Sequence, residues 1–212
     1  MSKGSRDRIL DATEKLFAKR GSEAVSLREI NVAAGVSQGV IHYQFGSRAK
    51  LITALLERRF PAIQAQRVTM LQELSSKTEP PQLRDLVEVV IRPFAELVLG
   101  QKRLGARFMR VLSHLSTERN SQFQQYVVAH DPEFVSALIA LLKQALPGQS
   151  EHTLYYRLLV ISFSMYRALA DLEEPQWLWG EVSPVPLEDE LSVEARIELL
   201  IDCYCGTLCG VH

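Results

Sequence analysis

Two short helical segments joined by a glycine-containing turn lie near the start of this chain, and they restrict its possible folds more than any other feature. A helix is predicted over residues 26–34, because Ser26 and Glu29 have the spacing of a capping box. Gly35 is predicted to end that helix, and Ser37 to cap the next one. Two short helices connected in this way are typical of a helix-turn-helix.

Helical periodicity continues on both sides of these segments. Ile9, Leu16 and Phe17 give the first helix an apolar face, and Gly21 ends the pattern. No segment alternates with period two, so the predicted fold is all-α, with a three-helix head joined to a larger helical body. After a fourth helix that Ser47 caps and Pro61 interrupts, helices are predicted over residues 83–99, 106–115, 121–146 (as one helix or two), 151–173 and 191–208, with a loop over 177–189.

Charge is distributed unevenly along the chain. Residues 1–59 carry 11 Lys and Arg against 6 Asp and Glu, whereas the whole chain has a net charge of −1, so the remainder is acidic. A basic N-terminal region on an acidic body suggests a polyanionic partner for the first part. Chance patterning is the alternative, because an excess of +5 over 59 residues is modest.

All three cysteines lie near the C-terminus, where Cys203, Cys205 and Cys209 form a C-x-C-x3-C-x2-H pattern with His212. On a helix, Cys203 and Cys205 lie about 200° apart and cannot share a metal ion. Small buried thiols on a packed helix are the favoured interpretation. Neither a metal nor another cofactor is therefore expected.

The second short helix has two different faces. Ile41 and Phe45 lie one turn apart and should enter the core. On and beside the opposite face lie Gly39, Val40, His42 and Tyr43. A helix face that only meets solvent would rarely carry this combination. This mixture suits the major groove of DNA, which a glycine lets the helix axis approach closely.

A set of DNA contacts follows from this placement. Gln38 and Val40 can meet base edges, while His42 and Tyr43 can donate to phosphates. Arg28 precedes them on the first short helix, and the start of the fourth helix also favours a phosphate. The predicted DNA-contacting residues are Lys3 and Arg6 in a basic arm, then Arg28, Ser37, Gln38, Gly39, Val40, His42, Tyr43, Arg48 and Lys50.

Each of these residues also has a structural alternative. Tyr43 could cover the edge of the head's core, and Val40 could lie at the same edge. Arg48 could pair with Glu57 or another carboxylate. For His42, a contact to phosphate or water is favoured over a catalytic role, because no nucleophile or carboxylate lies beside it in the sequence.

The stretch LREINVAAGVSQGVIHYQFGSRAKLITALL resembles the head of the TetR family of bacterial transcriptional regulators. The matching positions are Ile30, Ala34, Gly35, Val36, Ser37, Gly39, Tyr43, Phe45 and Leu51. The resemblance implies a helix-turn-helix DNA-binding domain over residues 1–50 and a helical effector-binding and dimerisation domain over residues 51–212. The implied function is a repressor that a small apolar effector releases from a near-palindromic operator.

The chain departs from the family's usual pattern at several positions of the head. Asn31 replaces an alanine, Val40 a frequent threonine and His42 a frequent tyrosine. Gln44 replaces a frequent histidine, and Arg48 a lysine, which keeps the charge but changes the contact. We therefore expect DNA contacts that differ from those of relatives.

The body contains a helix that is apolar almost all round, TLYYRLLVISFSMYRALADL, which must be buried on most sides. Together with the last helix, over about residues 191–208, it is interpreted as half of an intersubunit four-helix bundle in a homodimer. The alternative is that both helices fill the core of a monomer.

Segments of the body, RRFPAIQAQRVTMLQEL, RPFAELV and ARFMRVLSHLSTE, resemble the members of the family associated with fatty acids or acyl thioesters. Such a ligand needs an apolar pocket with a polar or cationic mouth. The candidate ligand-binding residues are Phe94, Arg107, Phe108, Met109, Arg110, His114 and Tyr166, for each of which ordinary packing is the alternative.

Two other classes of function are alternatives to a DNA-binding regulator. An enzyme is not expected, because no H-E-x-x-H, G-x-S-x-G, P-loop or dinucleotide turn occurs and the five histidines are scattered. A helical module that binds only another protein is the second alternative. The most apolar run, over residues 158–165, is too short to span a membrane, and no signal core is present, so a cytoplasmic protein is expected.

Overall fold

The computed structural model describes residues 4–37, 39–172 and 191–210, and the regular elements in those ranges are all α-helices, as predicted. The predicted loop over 177–189 lies outside the described residues. The helices of the described ranges are α1 (Ser5–Arg20), α2 (Leu27–Ala34), α3 (Val40–Phe45), α4 (Arg48–Glu57), α5 (Phe60–Ser75), α6 (Leu83–Gln101), α7 (Arg103–Thr117), α8 (Ser121–His130), α9 (Pro132–Ala145), α10 (Glu151–Ala170) and α11 (Val193–Cys209).

Helices α1 to α3 form the head, and their apolar side chains meet in one core. Ile9, Phe17, Ile30, Ile41 and Phe45 are all buried there. These residues recur at helical spacing on each segment, so packing compensates for the weak intrinsic propensity of the short α3.

The helix ends of the head follow mostly from local signals. The Ser26 hydroxyl accepts from the Glu29 N–H at 3.2 Å, and the Glu29 carboxylate accepts from the Ser26 N–H at 2.8 Å, which confirms the capping box. Gly21 and Gly35 end α1 and α2 at φ values of +82° and +62°, where a side chain would be strained. The Ser47 hydroxyl caps α4 through the Lys50 N–H.

One predicted helix start is wrong. Ser37 was expected to cap α3, but that helix begins at Val40, and Gly39 precedes it without a side-chain cap. The Ser37 carbonyl accepts from the Val40 N–H at 3.1 Å, so Ser37 belongs to the turn instead. The connection between α2 and α3 is therefore longer than the capping pattern indicated.

The body consists of α5 to α11, with α4 leading into it. The segment 121–146 contains two helices, because Asp131 and Pro132 separate α8 from α9. Helix α7 packs against both α10 and α1, which places it between the body and the head. Helix α4 contacts α1 and α3 of the head and α5 and α8 of the body. The predicted domain boundary after residue 50 falls within α4 and stays a prediction.

Among the described helices, none combines the length and the apolar composition that crossing a membrane requires.

Candidate DNA-binding face and effector cavity

The outer face of α3 is open, whereas its inner face is buried. Ile41 and Phe45 enter the core of the head, while the side chain of Tyr43 is 89% exposed. His42 and Gly39 are exposed beside it. An aromatic ring this exposed gains little from the packing of its own chain, so the structure does not support the alternative that Tyr43 covers the core edge.

Gly39 and His42 shape the start and the end of this face. A Cβ atom added at Gly39 would meet no atom within 4 Å, so internal packing does not require a glycine there. A close approach by an outside molecule would require one. The His42 ring lies 3.3 Å, through Nδ1, from the Gly46 carbonyl, which holds the imidazole against the end of α3.

The two helices that flank α3 each carry an exposed cation. Arg28 on α2 and Lys50 on α4 are both exposed, and so is Ser37 in the turn. Lys50 lies in the first turn of α4, where the backbone N–H groups add to the attraction for an anion. The head therefore presents an aromatic ring, an imidazole and two cations on neighbouring elements.

Three predicted contacts need correction. Arg48 points inward: its Nη1 donates to the Val25 carbonyl at 2.7 Å, its Nη2 donates to the Ser22 carbonyl, and its guanidinium lies over the Phe17 ring. Its partners are thus carbonyl oxygens and not the carboxylate considered above. Val40 is half-buried against the core, as its structural alternative proposed.

The third correction concerns only the position of Arg6, whose exposed side chain lies in the first turn of α1 and not in a separate arm, so its DNA contact stays a prediction. Its guanidinium covers the Phe45 ring at 4.6 Å and donates to the Gln44 carbonyl. Lys3 and Gln38 lie outside the described residues, so their predicted contacts stay predictions.

A cavity of about 170 Å³ lies in the body, between α5, α6, α8, α9 and α10. Two of the predicted ligand-binding residues, Phe94 and Tyr166, line it. Phe123 and Phe134 add two further aromatic side chains, and Tyr155 and Phe163, which are half-exposed on α10, lie at its rim.

A buried ion pair forms the polar part of this cavity. Arg67 Nη1 lies 3.3 Å from the Asp131 carboxylate, and each side chain is only 9% exposed. Nη1 also donates to the Gln64 amide oxygen at 2.9 Å, and the guanidinium stacks on the Phe134 ring at 3.9 Å.

Sequence reasoning missed this pair, although α5 contains a signal for it. Arg67 occupies a position of the buried apolar row formed by Phe60, Ile63, Leu71 and Leu74, where a charged side chain must find a partner. Asp131 precedes a proline at a helix start, so its identity is already explained locally and gives no hint of a second role.

Tyr166 brings a neutral hydroxyl to the same region. The pKa of Tyr166 is raised to about 12, chiefly by burial; the Arg67 charge lowers it and the Asp131 carboxylate raises it. The hydroxyl therefore stays protonated at physiological pH, where it can either donate or accept a hydrogen bond.

The other predicted ligand residues do not reach this cavity, because they lie on α7, which turns toward α1 and α10. Phe108 and Met109 are fully buried, and Phe108 lies under the Arg59 guanidinium at 5.7 Å. Arg110 pairs with Asp171 at 3.5 Å. Arg107 lies near Glu14 of α1, and His114 lies beside Gly21.

The contact between α7 and the head contains a compact polar cluster. The Glu118 carboxylate accepts from the Ser22 N–H at 3.1 Å and from the Ser22 hydroxyl at 2.5 Å. The Ser22 carbonyl in turn accepts from Arg48. One carboxylate at the end of α7 is thus linked, through one serine, to the first residue of α4.

Within one chain, helices α10 and α11 leave apolar side chains in solvent, so the burial of α10 on most sides by a second subunit stays a prediction. Tyr156 is 69% exposed and Val160 and Leu199 are exposed as well. Cys203 and Cys209 are also exposed, so the interpretation of all three cysteines as buried thiols is wrong. An exposed apolar strip of this kind is typical of an interaction surface.

An exposed recognition helix on a three-helix head, followed by a helical body with an internal cavity, defines a helix-turn-helix DNA-binding regulator. Residues 9–55 match the family described as bacterial regulatory proteins, tetR family, and residues 88–197 match the tetracyclin repressor-like C-terminal domain. The second match alone covers more than half of the chain. The protein belongs to the TetR family, whose members are DNA-binding regulators and not enzymes.

Individual relatives agree with this assignment. The transcriptional regulator TtgR of Pseudomonas putida is 29% identical over 110 residues, which are 52% of this chain and 50% of TtgR. The chain thus matches about half the length of such curated relatives. The repressor KstR of Mycobacterium tuberculosis is 40% identical over 60 residues, 28% of this chain and 27% of KstR.

Solved structures show the same fold over nearly the whole chain. NalD of Pseudomonas aeruginosa, described as the secondary repressor of a multidrug efflux pump, aligns with a TM-score of 0.59 and 22% identity over 94% of both chains. PfmR of Thermus thermophilus aligns with a TM-score of 0.60 and 19% identity over 97% of this chain and all of its own. At these identities the likeness establishes the fold.

Proposed function

We propose that this protein is a ligand-responsive transcriptional repressor that binds a near-palindromic operator as a homodimer and leaves it when a small apolar effector binds. The observation that carries the proposal is the open face of α3, where Tyr43 is 89% exposed beside His42 and Gly39. A side chain of this size is kept in solvent at no gain to the fold, and major-groove binding gives it a partner.

The exposed residues divide into two kinds of DNA contact. Tyr43, His42, Ser37 and Lys50 are suited to phosphates, which fix register and affinity. Arg28 can reach a phosphate or a base edge, and Gln38, at the start of the recognition segment, is proposed to read a base. Lys3 is proposed to add a phosphate contact, whereas Arg48 and Val40 act within the head.

The exposed strip on α10 and α11 is the proposed dimer interface. Tyr156, Val160 and Leu199 would be covered by the same residues of a second copy, because a two-fold axis pairs a surface with itself. The two recognition helices would then lie about 34 Å apart, one turn of DNA.

The proposed effector site is the cavity around Arg67. Its volume of about 170 Å³ equals the volume of about five or six water molecules in the liquid. A fatty acid or acyl thioester, which the body's sequence suggested, is longer than such a cavity admits without expansion. A smaller apolar effector is the better supported proposal.

Effector binding can reach the head along two routes. Helix α4 connects the head directly to the body, and α7 joins α10 to α1 and to the Ser22–Glu118 cluster. An effector weakens DNA binding only to the extent that it prefers a body in which these contacts have shifted.

The test is a binding experiment with duplexes about 30 bp long, selected from a random pool for affinity to the full chain. Tyr43→Ala should weaken binding at fixed salt. Lys50→Ala should also lower the slope of log affinity against log salt by about one. Lys77→Ala, which removes the same charge from an exposed position between α5 and α6, is the matched control. Unchanged affinity in both head variants would overturn the proposed DNA-binding face.

A further inference from the structure

Aromatic side chains dominate the walls of the cavity. Phe94 and Phe123 each meet the Tyr166 ring edge-on, with centroids 5.5 Å and 6.2 Å apart, and Phe134 lies under the Arg67 guanidinium. An apolar cavity of about 150 Å³ is enough to bind benzene. A volume of about 170 Å³ therefore fits one six-membered ring with a small substituent.

The guanidinium of Arg67 has unused hydrogen-bonding capacity. Within the described part of the chain, every hydrogen bond from this guanidinium comes from Nη1, which donates to Gln64 and Asp131. Nε is fully enclosed and has no partner, whereas Nη2 donates to no described residue and is the nitrogen that a ligand in the cavity can reach. A buried donor without a partner loses a hydrogen bond it would make in water, so an acceptor brought in by a ligand would be favoured.

The charge of the lining restricts that ligand further. Arg67 and Asp131 are the ionised residues among those that line the cavity, and their charges cancel. A ligand carrying a full charge would add an uncompensated charge to a buried site, which is costly. An uncharged acceptor, such as a carbonyl oxygen, would satisfy the guanidinium and leave the net charge at zero.

We propose that the cavity binds a small uncharged aromatic molecule whose single hydrogen-bond acceptor lies against the free edge of Arg67. This inference rests on the proposed function and names the chemical class of its effector. The ring lies among Phe94, Phe123 and Phe134, and the half-exposed Tyr155 and Phe163 mark where it enters.

The test compares ligands of nearly equal shape by calorimetry on the full chain. Acetophenone has a carbonyl acceptor, ethylbenzene has none, and benzoate has a negative charge at the same place. Acetophenone is expected to bind at least tenfold more tightly than ethylbenzene, because a hydrogen bond from a charged donor contributes about that much. Acetophenone should also bind more tightly than benzoate, benzylammonium and decanoate.

Variants locate the site. Arg67→Met keeps an apolar stem against Phe134 and should remove the preference for acetophenone over ethylbenzene, while ethylbenzene still binds. Arg59→Met, which removes the other buried arginine beside a phenylalanine, is the matched control and should keep the preference. Asp131→Asn removes the negative charge that balances Arg67. In that variant the affinity for benzoate should therefore rise relative to the affinity for acetophenone.

Several results would overturn the inference. These are tighter binding of benzoate or decanoate to the unaltered protein, or a preference for acetophenone that survives Arg67→Met. If Arg67→Met does not fold, the question is decided by whether benzoate affinity rises relative to acetophenone affinity in Asp131→Asn. A protein that binds selected DNA but none of these aromatics would lose this inference and keep its proposed role on DNA.

Discussion

Two buried arginine–carboxylate pairs have nearly the same chemistry and different surroundings. Their arginines are eight residues apart along the chain. Arg59 lies 3.4 Å from Glu14 where the head meets the body, and Arg67 lies 3.3 Å from Asp131 inside the body. Both guanidinium groups face a phenylalanine ring, and both bury an Nε atom without a partner.

The difference between them lies in what remains free. Arg59 donates through Nη1 to Gln101 and through Nη2 to Glu14, so both terminal nitrogens are used. Arg67 uses Nη1 alone, and it borders a cavity. The Arg59–Glu14 pair thus joins the head to the body, whereas the Arg67–Asp131 pair leaves a polar edge that a ligand can use.

The largest expected effect comes from removing the Asp131 carboxylate. Asp131→Ala leaves a buried arginine without its counter-charge, which should lower the free energy of unfolding by about 3 kcal/mol, whereas Glu14→Ala should cost less, because burial already disfavours the charged form of Glu14. Urea denaturation measures this. The comparison predicts that Asp131→Ala changes acetophenone binding and Glu14→Ala does not. Asp202→Ala, at an exposed ion pair, should change stability little.

A smaller loss is expected at the junction from Gly21→Ala. Gly21 has a φ of +82°, and a Cβ there would collide with the Glu118 carboxylate that holds Ser22. The free energy of unfolding should fall by about 1–3 kcal/mol. Gly35→Ala is the control, since its φ is +62° but no atom lies within 4 Å of an added Cβ. Equal losses in the two variants would show that the Glu118 contact contributes nothing.

The Glu14 pair should also give stability a distinct pH dependence. Burial raises the pKa of Glu14 above its usual 4.5, even though Arg59, Arg58 and Arg107 lower it. The folded state then takes up this proton more readily than the unfolded chain. Stability relative to Glu14→Gln should therefore rise as the pH falls from 7 toward 4.5. A difference independent of pH, measured by urea denaturation across that range, would contradict this.

The smallest effect, of opposite sign, is expected at Glu29 on the surface of the head. Hydrogen bonds from the Ser26 backbone and from Arg20 lower the pKa of Glu29 to about 2. The stability that this capping box contributes is therefore present above about pH 4.5 and lost as the pH falls toward 2. Thermal unfolding of Glu29→Gln should lack this component of acid sensitivity. The opposite signs at Glu14 and Glu29 separate burial from hydrogen bonding as causes.

The head was largely predictable because its signals are local. The capping box, the glycines that end α1 and α2, and the alternation of Ile41 and Phe45 with Tyr43 all act within one or two helical turns. Arg48 was one exception, beside Ser37, Val40 and Arg6. A cation in the first turn of a helix can face a phosphate or bend back, and the carbonyls of Ser22 and Val25, more than 20 residues away, decide between these.

The body was predictable in its helices and not in its site. Helical periodicity located α6, α7, α10 and α11, but it could not say which partner each apolar face would meet. The predicted ligand residues on α7 share an apolar face with the right period, yet that face packs on α1 and α10. Only Phe94 and Tyr166, on two other helices, reach the cavity.

The sequence by itself determined the all-α class, the helix-turn-helix, the family and the open face of α3, because caps, turns and periodicity depend on neighbours along the chain. The tertiary structure decided that Arg67 meets Asp131 across 64 residues, that Arg48 turns inward, and that aromatic rings from four helices enclose one cavity. These depend on how helices pack, and a buried charge has no sequence signature of its partner.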